Sequence, residues 1–177
     1  KWEPDVSAFA GLLSPSTGIV DAHALCQSWL VEAENGGAVF LPRIEVLAIE
    51  AEGGMYRVTV RDSDGARTEV KTAAVVNAAG LASDQIASLV GIDIDEAGYR
   101  LHLCKGDYFA LVPSSPLRFS RLVYPIRDQY GLGIHVTVDL LGQVRLGPDA
   151  EYIDRPNYRV NPDKAARFVQ AAGRYLP

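Results

Sequence analysis

The sequence predicts an α+β protein with an α/β flank, because its two halves carry different patterns of apolar residues. In the first half, a helical pattern precedes strand-like runs and a short apolar strand that leads into a second helix. In the second half, strand-like runs follow one another with only turns and prolines between them, which is typical of an antiparallel sheet. The 177 residues, 48% hydrophobic and 22% charged, are sufficient to form a core.

In the first half, a helix is predicted over residues 22–35, with Asp21 as its N-cap and Gly36-Gly37 as its stop. Strands are predicted over residues 38–41, 46–52, 56–62 and 66–71. Glycine-containing turns separate the last three, so they are expected to form a meander. An apolar strand over 74–78 and a helix over 83–90 follow.

In the second half, strands are predicted over residues 103–111, 122–126, 133–138 and 143–147. Asn161 and Pro162 form an N-cap followed by a proline at the first helical position, which predicts a final helix that ends near Tyr175.

Composition and charge limit the function classes. A net charge of -5 without a basic run argues against a nucleic-acid partner. No apolar run is long enough to span a bilayer and the first residues lack a signal-peptide core, so a soluble, cytoplasmic protein is expected. The two cysteines, Cys26 and Cys104, are expected to be buried reduced thiols. Because the chain opens on Lys1 rather than methionine, we expect a piece of a longer protein.

The apolar strand ends in three small residues, Ala78, Ala79 and Gly80. Small side chains at a strand-to-helix turn allow a ligand, such as a phosphate group, to approach the backbone closely. Close packing of the helix on the strand explains the same residues equally well, so both interpretations stay open at this point.

Other chemistries lack their motifs. There is no G-x-S-x-G for a serine hydrolase and no G-x-x-x-x-G-K-[ST] for a P-loop nucleotide hydrolase. His23, His102, Cys104 and His135 do not have the spacing of a familiar metal site, so no metal is expected.

Six blocks in one order carry a family resemblance: LSPSTGIVD at 13–21, VNAAGLASD at 76–84, KGDY at 105–108, LVYPI at 122–126, GLGIHVT at 131–137 and LGPDA at 146–150. The sequence resembles the FAD-dependent oxidoreductases of the D-amino-acid oxidase and glycerol-3-phosphate dehydrogenase type, and within them the L-2-hydroxyglutarate oxidase or dehydrogenase branch. The G-x-G-x-x-G segment that grips the ADP half of FAD is missing, so the chain alone is not expected to retain the cofactor.

The resemblance implies a domain organisation. Residues 21–99 would form part of an FAD-binding, Rossmann-like domain with a β-meander. Residues 1–20 and 100–160 would form a substrate-binding region built on an antiparallel sheet, and residues 161–177 its C-terminal helix.

The resemblance also implies cofactor contacts. Ala78, Ala79 and Gly80 would lie beside the FAD diphosphate, and the backbone near Val46 would bind the adenine edge. A plain core valine explains Val46 equally well.

For the substrate, the resemblance implies His135 as the base that accepts the hydroxyl proton. Lys105 and Tyr124 would orient a carboxylate, with Arg121 and Arg127 as further anion partners. Each also has an ordinary structural interpretation as a packed or surface residue. Arg127 stands where the family usually has a second proline, which bears on the substrate rather than on the fold.

The implied function is hydride transfer from a small 2-hydroxy acid, with L-2-hydroxyglutarate first, to FAD. An amine or amino-acid oxidase on the same scaffold, similar to sarcosine or glycine oxidase, is one alternative. A non-catalytic α+β module that binds a ligand or partner is the other. The sequence does not predict the oligomeric state.

Overall fold

The structure is a computed structural model that describes residues 3–126 and 133–176. Its helices are α1 (Ala22–Asn35), α2 (Ser83–Leu89) and α3 (Ala165–Ala172), and 3-10 turns at Gly80–Ala82 and Pro162–Lys164 precede the last two. Its strands are β1 (Glu45–Glu52), β2 (Met55–Arg61), β3 (Arg67–Thr72), β4 (Cys104–Lys105), β5 (Phe109–Ala110), β6 (His135–Val138), β7 (Val144–Gly147) and β8 (Glu151–Tyr152). This mixture of helices and antiparallel sheets confirms the predicted α+β class in its coarse form.

The chain divides into two compact units. The first, residues 27–102, contains the antiparallel meander β1-β2-β3, in which Glu45 pairs with Arg61 and Tyr56 with Thr72. The turn glycines Gly53 and Gly54 have φ angles of 60° and 78°, a conformation that glycine adopts without steric cost. The predicted meander is therefore confirmed.

The second unit, residues 1–26 and 103–177, contains the sheet β5-β7-β6 and the separate pair β4-β8. Helix α3 packs Phe168, which is 1% exposed, against one face of the larger sheet, where its ring meets that of Phe109 edge-to-face at 4.7 Å. Burying a side chain of this size contributes roughly 1.5–3 kcal/mol. The core residues on this side are Ile134, Val136, Val144, Leu146, Phe168, Ala172, Tyr175 and Leu176.

Capping signals predicted the helix ends well. A carboxylate oxygen of Asp21 accepts a hydrogen bond from the Ala24 N–H at 3.0 Å, and α1 occupies the predicted residues. The side chain of Asn161 accepts from the Asp163 N–H ahead of α3, with Pro162 in the first helical turn.

Several predicted strands are wrong. Residues 38–41 and 74–78 lie outside any strand, and the predicted strand over 103–111 is split into β4 and β5. The predicted strand over 122–126 is reduced to a single bridge between Val123 and Val136. A strand needs a neighbour to receive its backbone hydrogen bonds, and in the described residues segments 38–41 and 74–78 have none.

The prediction of buried cysteines is also wrong, because Cys26 and Cys104 are both exposed. Helical spacing of apolar residues predicted a packed face on α1, but none of the residues of α1 is buried in the structure. Cys104 alternates with the less exposed Lys105 in a two-residue strand, so its side chain takes the outer position.

Candidate active site

Four residues of the second unit lie side by side across the larger sheet, in the order Tyr108, Gly147, His135, Tyr124. His135 pairs directly with Gly147 between β6 and β7. The pairing of Phe109 with Leu146 places Tyr108 opposite Gly147, and the bridge between Val123 and Val136 places Tyr124 opposite His135. We call these four residues the cross-sheet row.

Directly opposed residues project from the same face of a sheet, whereas their chain neighbours project from the other face. The neighbouring row contains Phe109, Leu146, Val136 and Val123, and all four belong to the core or pack against it. The cross-sheet row therefore lies on the face opposite to α3.

Packing and one hydrogen bond fix the orientation of the His135 ring and the tautomer of its neutral form. Its imidazole is stacked on the ring of Tyr124, with centroids 4.3 Å apart, and the residue is 4% exposed. Its Nδ1 lies 3.0 Å from the carbonyl oxygen of Gly133, which only accepts hydrogen bonds. In the neutral imidazole, Nδ1 therefore carries the proton and Nε2 offers a lone pair. Such a nitrogen accepts a proton from a hydroxyl group within hydrogen-bond reach.

Tyr108 was not predicted as a site residue, although it ends one of the family-like blocks. Burial raises the pKa of its phenol, and the nearby Tyr124 raises it further. The phenol therefore stays protonated and remains a hydrogen-bond donor well above neutral pH. Sequence patterns gave no signal for this residue, since its proximity to His135 depends on pairing between distant strands.

Lys105 lies in a different group of charges. Its ammonium is 3.2 Å from a carboxylate oxygen of Asp107 and donates a hydrogen bond to the Arg159 carbonyl. Lys164 contacts Asp107 at 2.8 Å and Glu151 at 2.6 Å, and forms an ion pair with Asp149 at 2.9 Å. We call these five residues, Lys105, Asp107, Asp149, Glu151 and Lys164, the ion cluster. The predicted role of Lys105 in holding a substrate carboxylate competes with these contacts.

The ion cluster shifts the pKa values of its members. Burial alone would raise the pKa of Asp107, but hydrogen bonds from Lys164 and Lys105 outweigh it and hold this pKa below its ordinary value. Burial alone would lower the pKa of Lys164, but hydrogen bonds to Asp107 and Glu151 outweigh it and raise this pKa. Asp107 and Lys164 are therefore both ionised at neutral pH.

Of the two predicted anion partners, the structure describes Arg121 but not Arg127. Arg121 lies 3.4 Å from a carboxylate oxygen of Glu3 and donates to the Ser120 hydroxyl at 2.8 Å. Arg127 lies outside the described residues. Of the predicted substrate residues, the structure brings His135 and Tyr124 together.

The predicted cofactor residues lie in the first unit. Ala78, Ala79 and Gly80 are exposed, and Gly80 has a φ of 56° with no heavy atom within 4 Å of the position that a Cβ would occupy. Asn77, which the sequence did not single out, braces this turn, because its amide accepts from the Ala79 N–H at 3.3 Å and donates to the Ser83 carbonyl at 2.8 Å. An exposed, braced turn without side-chain bulk fits a group that must approach the backbone closely.

Val46 is a partly buried residue of β1, which is an edge strand of the meander. The register shifts between Val46 and Ala48, so one extra residue bulges there. Within the described residues, no group of three or more His, Cys, Asp or Glu is arranged to hold a metal ion.

Comparison with protein families decides the class. The protein-family model described as FAD dependent oxidoreductase matches residues 1–177, which is the whole chain. The chain belongs to this family. The predicted family is thereby confirmed, and FAD is the cofactor that membership implies.

The FAD dependent oxidoreductase chain is similar to three curated relatives. L-2-hydroxyglutarate dehydrogenase, mitochondrial, of Arabidopsis thaliana is 31% identical over all of this chain and 44% of its own length. L-2-hydroxyglutarate dehydrogenase of Salmonella houtenae is 31% identical over 89% of this chain and 36% of its own length. The mitochondrial dehydrogenase of Homo sapiens is 30% identical over 85% of this chain and 34% of its own length. The chain thus spans less than half the length of these relatives.

The expected cytoplasmic location is corrected by these names. The relatives from Arabidopsis thaliana and Homo sapiens are mitochondrial proteins, so the apolar pattern and the first residues of this chain do not indicate a cytoplasmic location. In the described residues, no helix is both long and apolar enough to cross a membrane.

Proposed function

We propose that this chain is part of an FAD-dependent dehydrogenase that oxidises a small 2-hydroxy acid, with L-2-hydroxyglutarate as the first candidate. The observation that carries the proposal is the buried His135, whose Nδ1 hydrogen bond leaves Nε2 available as a base. The names of the relatives at about 30% identity support this substrate class.

In the proposed reaction, Nε2 of His135 accepts the proton of the substrate hydroxyl group, and the Gly133 carbonyl stabilises the imidazolium that forms. Stacking on Tyr124 fixes the plane of the imidazole, and burial keeps bulk water from competing for the lone pair. FAD, when bound, supplies the acceptor for the hydride on the α-carbon.

Residues 21–99 would contribute to the FAD-binding domain, where the turn at Ala78, Ala79 and Gly80 would lie along the diphosphate and Val46 would bind the adenine edge. Residues 1–20, 100–160 and 161–177 would form the substrate-binding region. The exposed turn with a positive φ at Gly80 supports the diphosphate assignment.

Lys105, Tyr124, Arg121 and Arg127 remain the proposed carboxylate partners. The geometry favours Tyr124 among them, because it contacts His135 directly. Lys105 and Arg121 would have to exchange the carboxylates of Asp107 and Glu3 for that of the substrate.

The test uses the full-length flavoprotein, mixed anaerobically with 2-hydroxy acids while flavin absorbance is followed. We expect L-2-hydroxyglutarate to bleach the flavin, and His135→Gln to slow bleaching at saturating substrate by roughly 10²–10⁴-fold. His102→Gln is the matched control, because His102 is exposed and lies outside the cross-sheet row.

Three outcomes discriminate the proposal from its alternatives. Bleaching by sarcosine or glycine, but not by hydroxy acids, would indicate an amine or amino-acid oxidase. A full-length protein that binds no flavin would indicate a non-catalytic module. Equal rates for His135→Gln and His102→Gln would contradict the role of His135 as the base.

A further inference from the structure

We propose that Tyr108 is a substrate-binding residue, whose phenol hydroxyl acts with that of Tyr124 to hold the carboxylate of the substrate beside His135. We further propose that Gly147 is the positioning residue that leaves room for the Tyr108 ring. Both parts rest on the proposed function, since they concern the same site.

The first step of the argument is the space above Gly147. A Cβ at this position would lie 2.8 Å from Cδ1 and 3.1 Å from Cγ of Tyr108, and 2.6 Å from the Asp107 carbonyl oxygen. The ring therefore occupies the volume that a side chain at Gly147 would fill. Because Gly147 pairs directly with His135, this volume lies next to the imidazole on the same face of the sheet.

The second step is the set of polar groups that meet there. Tyr124 stacks on His135 on one side of the imidazole, and on the other side Tyr108 packs over Gly147, the direct partner of His135. The row thus offers two hydroxyl donors and one nitrogen acceptor. A 2-hydroxy acid presents the complementary set, a carboxylate that accepts and an adjacent hydroxyl group that donates.

The third step is the charge around the row, whose own members carry no formal charge when the imidazole is neutral. Lys105 is paired with Asp107, and Arg121 with Glu3. Phenols that stay protonated can neutralise part of the carboxylate charge by hydrogen bonding without leaving an unpaired cation when the site is empty. This gives Tyr108 a function that simple packing against glycine does not require.

The test measures binding and turnover separately in the full-length flavoprotein. Equilibrium binding of 2-oxoglutarate to the oxidised protein, followed by calorimetry, needs no reduction of flavin. For Tyr108→Phe we expect the Kd for 2-oxoglutarate and the KM for L-2-hydroxyglutarate to rise by roughly tenfold or more, as for loss of a hydrogen bond to a charged group. The reduction rate at saturating substrate should change by less than about threefold.

Tyr158→Phe is the matched control, since Tyr158 is 85% exposed and belongs to the same unit. Gly147→Ala should weaken 2-oxoglutarate binding as Tyr108→Phe does, because the added methyl group displaces the ring. If Gly147→Ala does not fold, Tyr108→Phe still decides the matter, because it keeps the ring and removes one oxygen.

An unchanged Kd and KM in Tyr108→Phe would overturn the inference while leaving the proposed function intact. A tenfold or larger fall in the reduction rate at saturating substrate, with no change in KM, would also overturn it, because that pattern indicates a role outside binding. If no hydroxy acid reduces the wild-type flavin, the proposed function fails, and a 2-oxoglutarate Kd that Tyr108→Phe leaves unchanged then overturns this inference separately.

Discussion

Replacing Lys164 by methionine tests the ion cluster. Its ammonium contacts Asp107, Asp149 and Glu151, and the side chains of the first two are 2% and 1% exposed. Methionine fills a similar volume but leaves the Asp149 carboxylate buried without this cation. Breaking a buried ion pair by removing one partner costs about 3–5 kcal/mol of unfolding free energy. The shift is roughly 2–4 °C per kcal/mol for 150–250 residues and smaller for a longer protein, so Tm should fall by at most about 6–20 °C.

The assay is thermal unfolding of the full-length protein at neutral pH and saturating FAD, followed by circular dichroism. Arg145→Met is the matched control, because it removes an ion pair with Asp139 that is largely solvent-exposed. The side chains of Arg145 and Asp139 are 49% and 34% exposed. Exposed pairs contribute about 0–1 kcal/mol, so the control should lower Tm by less than about 4 °C. Equal Tm values for the two variants would refute the reasoning.

The wild-type protein and Lys164→Met also differ in the pH dependence of their stability. The pKa of Asp107 is lower in the folded state than in the unfolded chain, where it is about 3.9. Its contribution to stability is therefore present above that pH and is lost as pH falls through the folded pKa. Wild type should lose stability on acidification below about pH 4 more steeply than Lys164→Met, and parallel acid limbs would contradict this.

Two further predictions concern other parts of the chain. Burial raises the pKa of Tyr175 from 10.0 to about 12, so stability should fall as pH rises through this window. In Tyr175→Phe this pH dependence should disappear, and the free energy of unfolding should fall by about 1–2 kcal/mol, because the hydroxyl donates to the Ile134 carbonyl at 2.9 Å. Denaturant titrations at several pH values measure both effects, and an unchanged pH dependence would contradict the assignment. Gly80→Val should lower the ratio of FAD to protein after purification, whereas Gly53→Val, with a similar φ of 60° and open surroundings, should keep it; equal ratios would argue against the diphosphate role of the turn.

Local signals predicted the local parts of the fold. Asp21 and Asn161 cap their helices through hydrogen bonds to residues two or three positions away, and Gly53-Gly54 forms a hairpin between adjacent strands. These contacts depend on a few neighbouring residues, so the sequence specifies them directly.

The parts that depend on distant pairing were not predictable in the same way. The cross-sheet row joins residues from four chain segments, and its members meet only through the pairing of β5, β7, β6 and the Val123 bridge. Family resemblance predicted His135 and Tyr124 as site residues, but it did not predict Tyr108 or Asn77. Lys105 illustrates the converse, because its charge is evident from the sequence, whereas its ion pair with Asp107, two residues away, depends on side-chain geometry.

Neighbouring residues of β6 lie on opposite faces of the larger sheet, one apolar and one polar. Val136, fully buried in the core together with α3, directly follows His135, whose imidazole lies on the opposite face. Deleting one residue within 133–138 would exchange the two, placing a polar ring in the apolar core and an isopropyl group on the face of the proposed base. If His135 acts as proposed, the register of this one strand sets both the packing of the core and the position of the base, and a one-residue shift would abolish both.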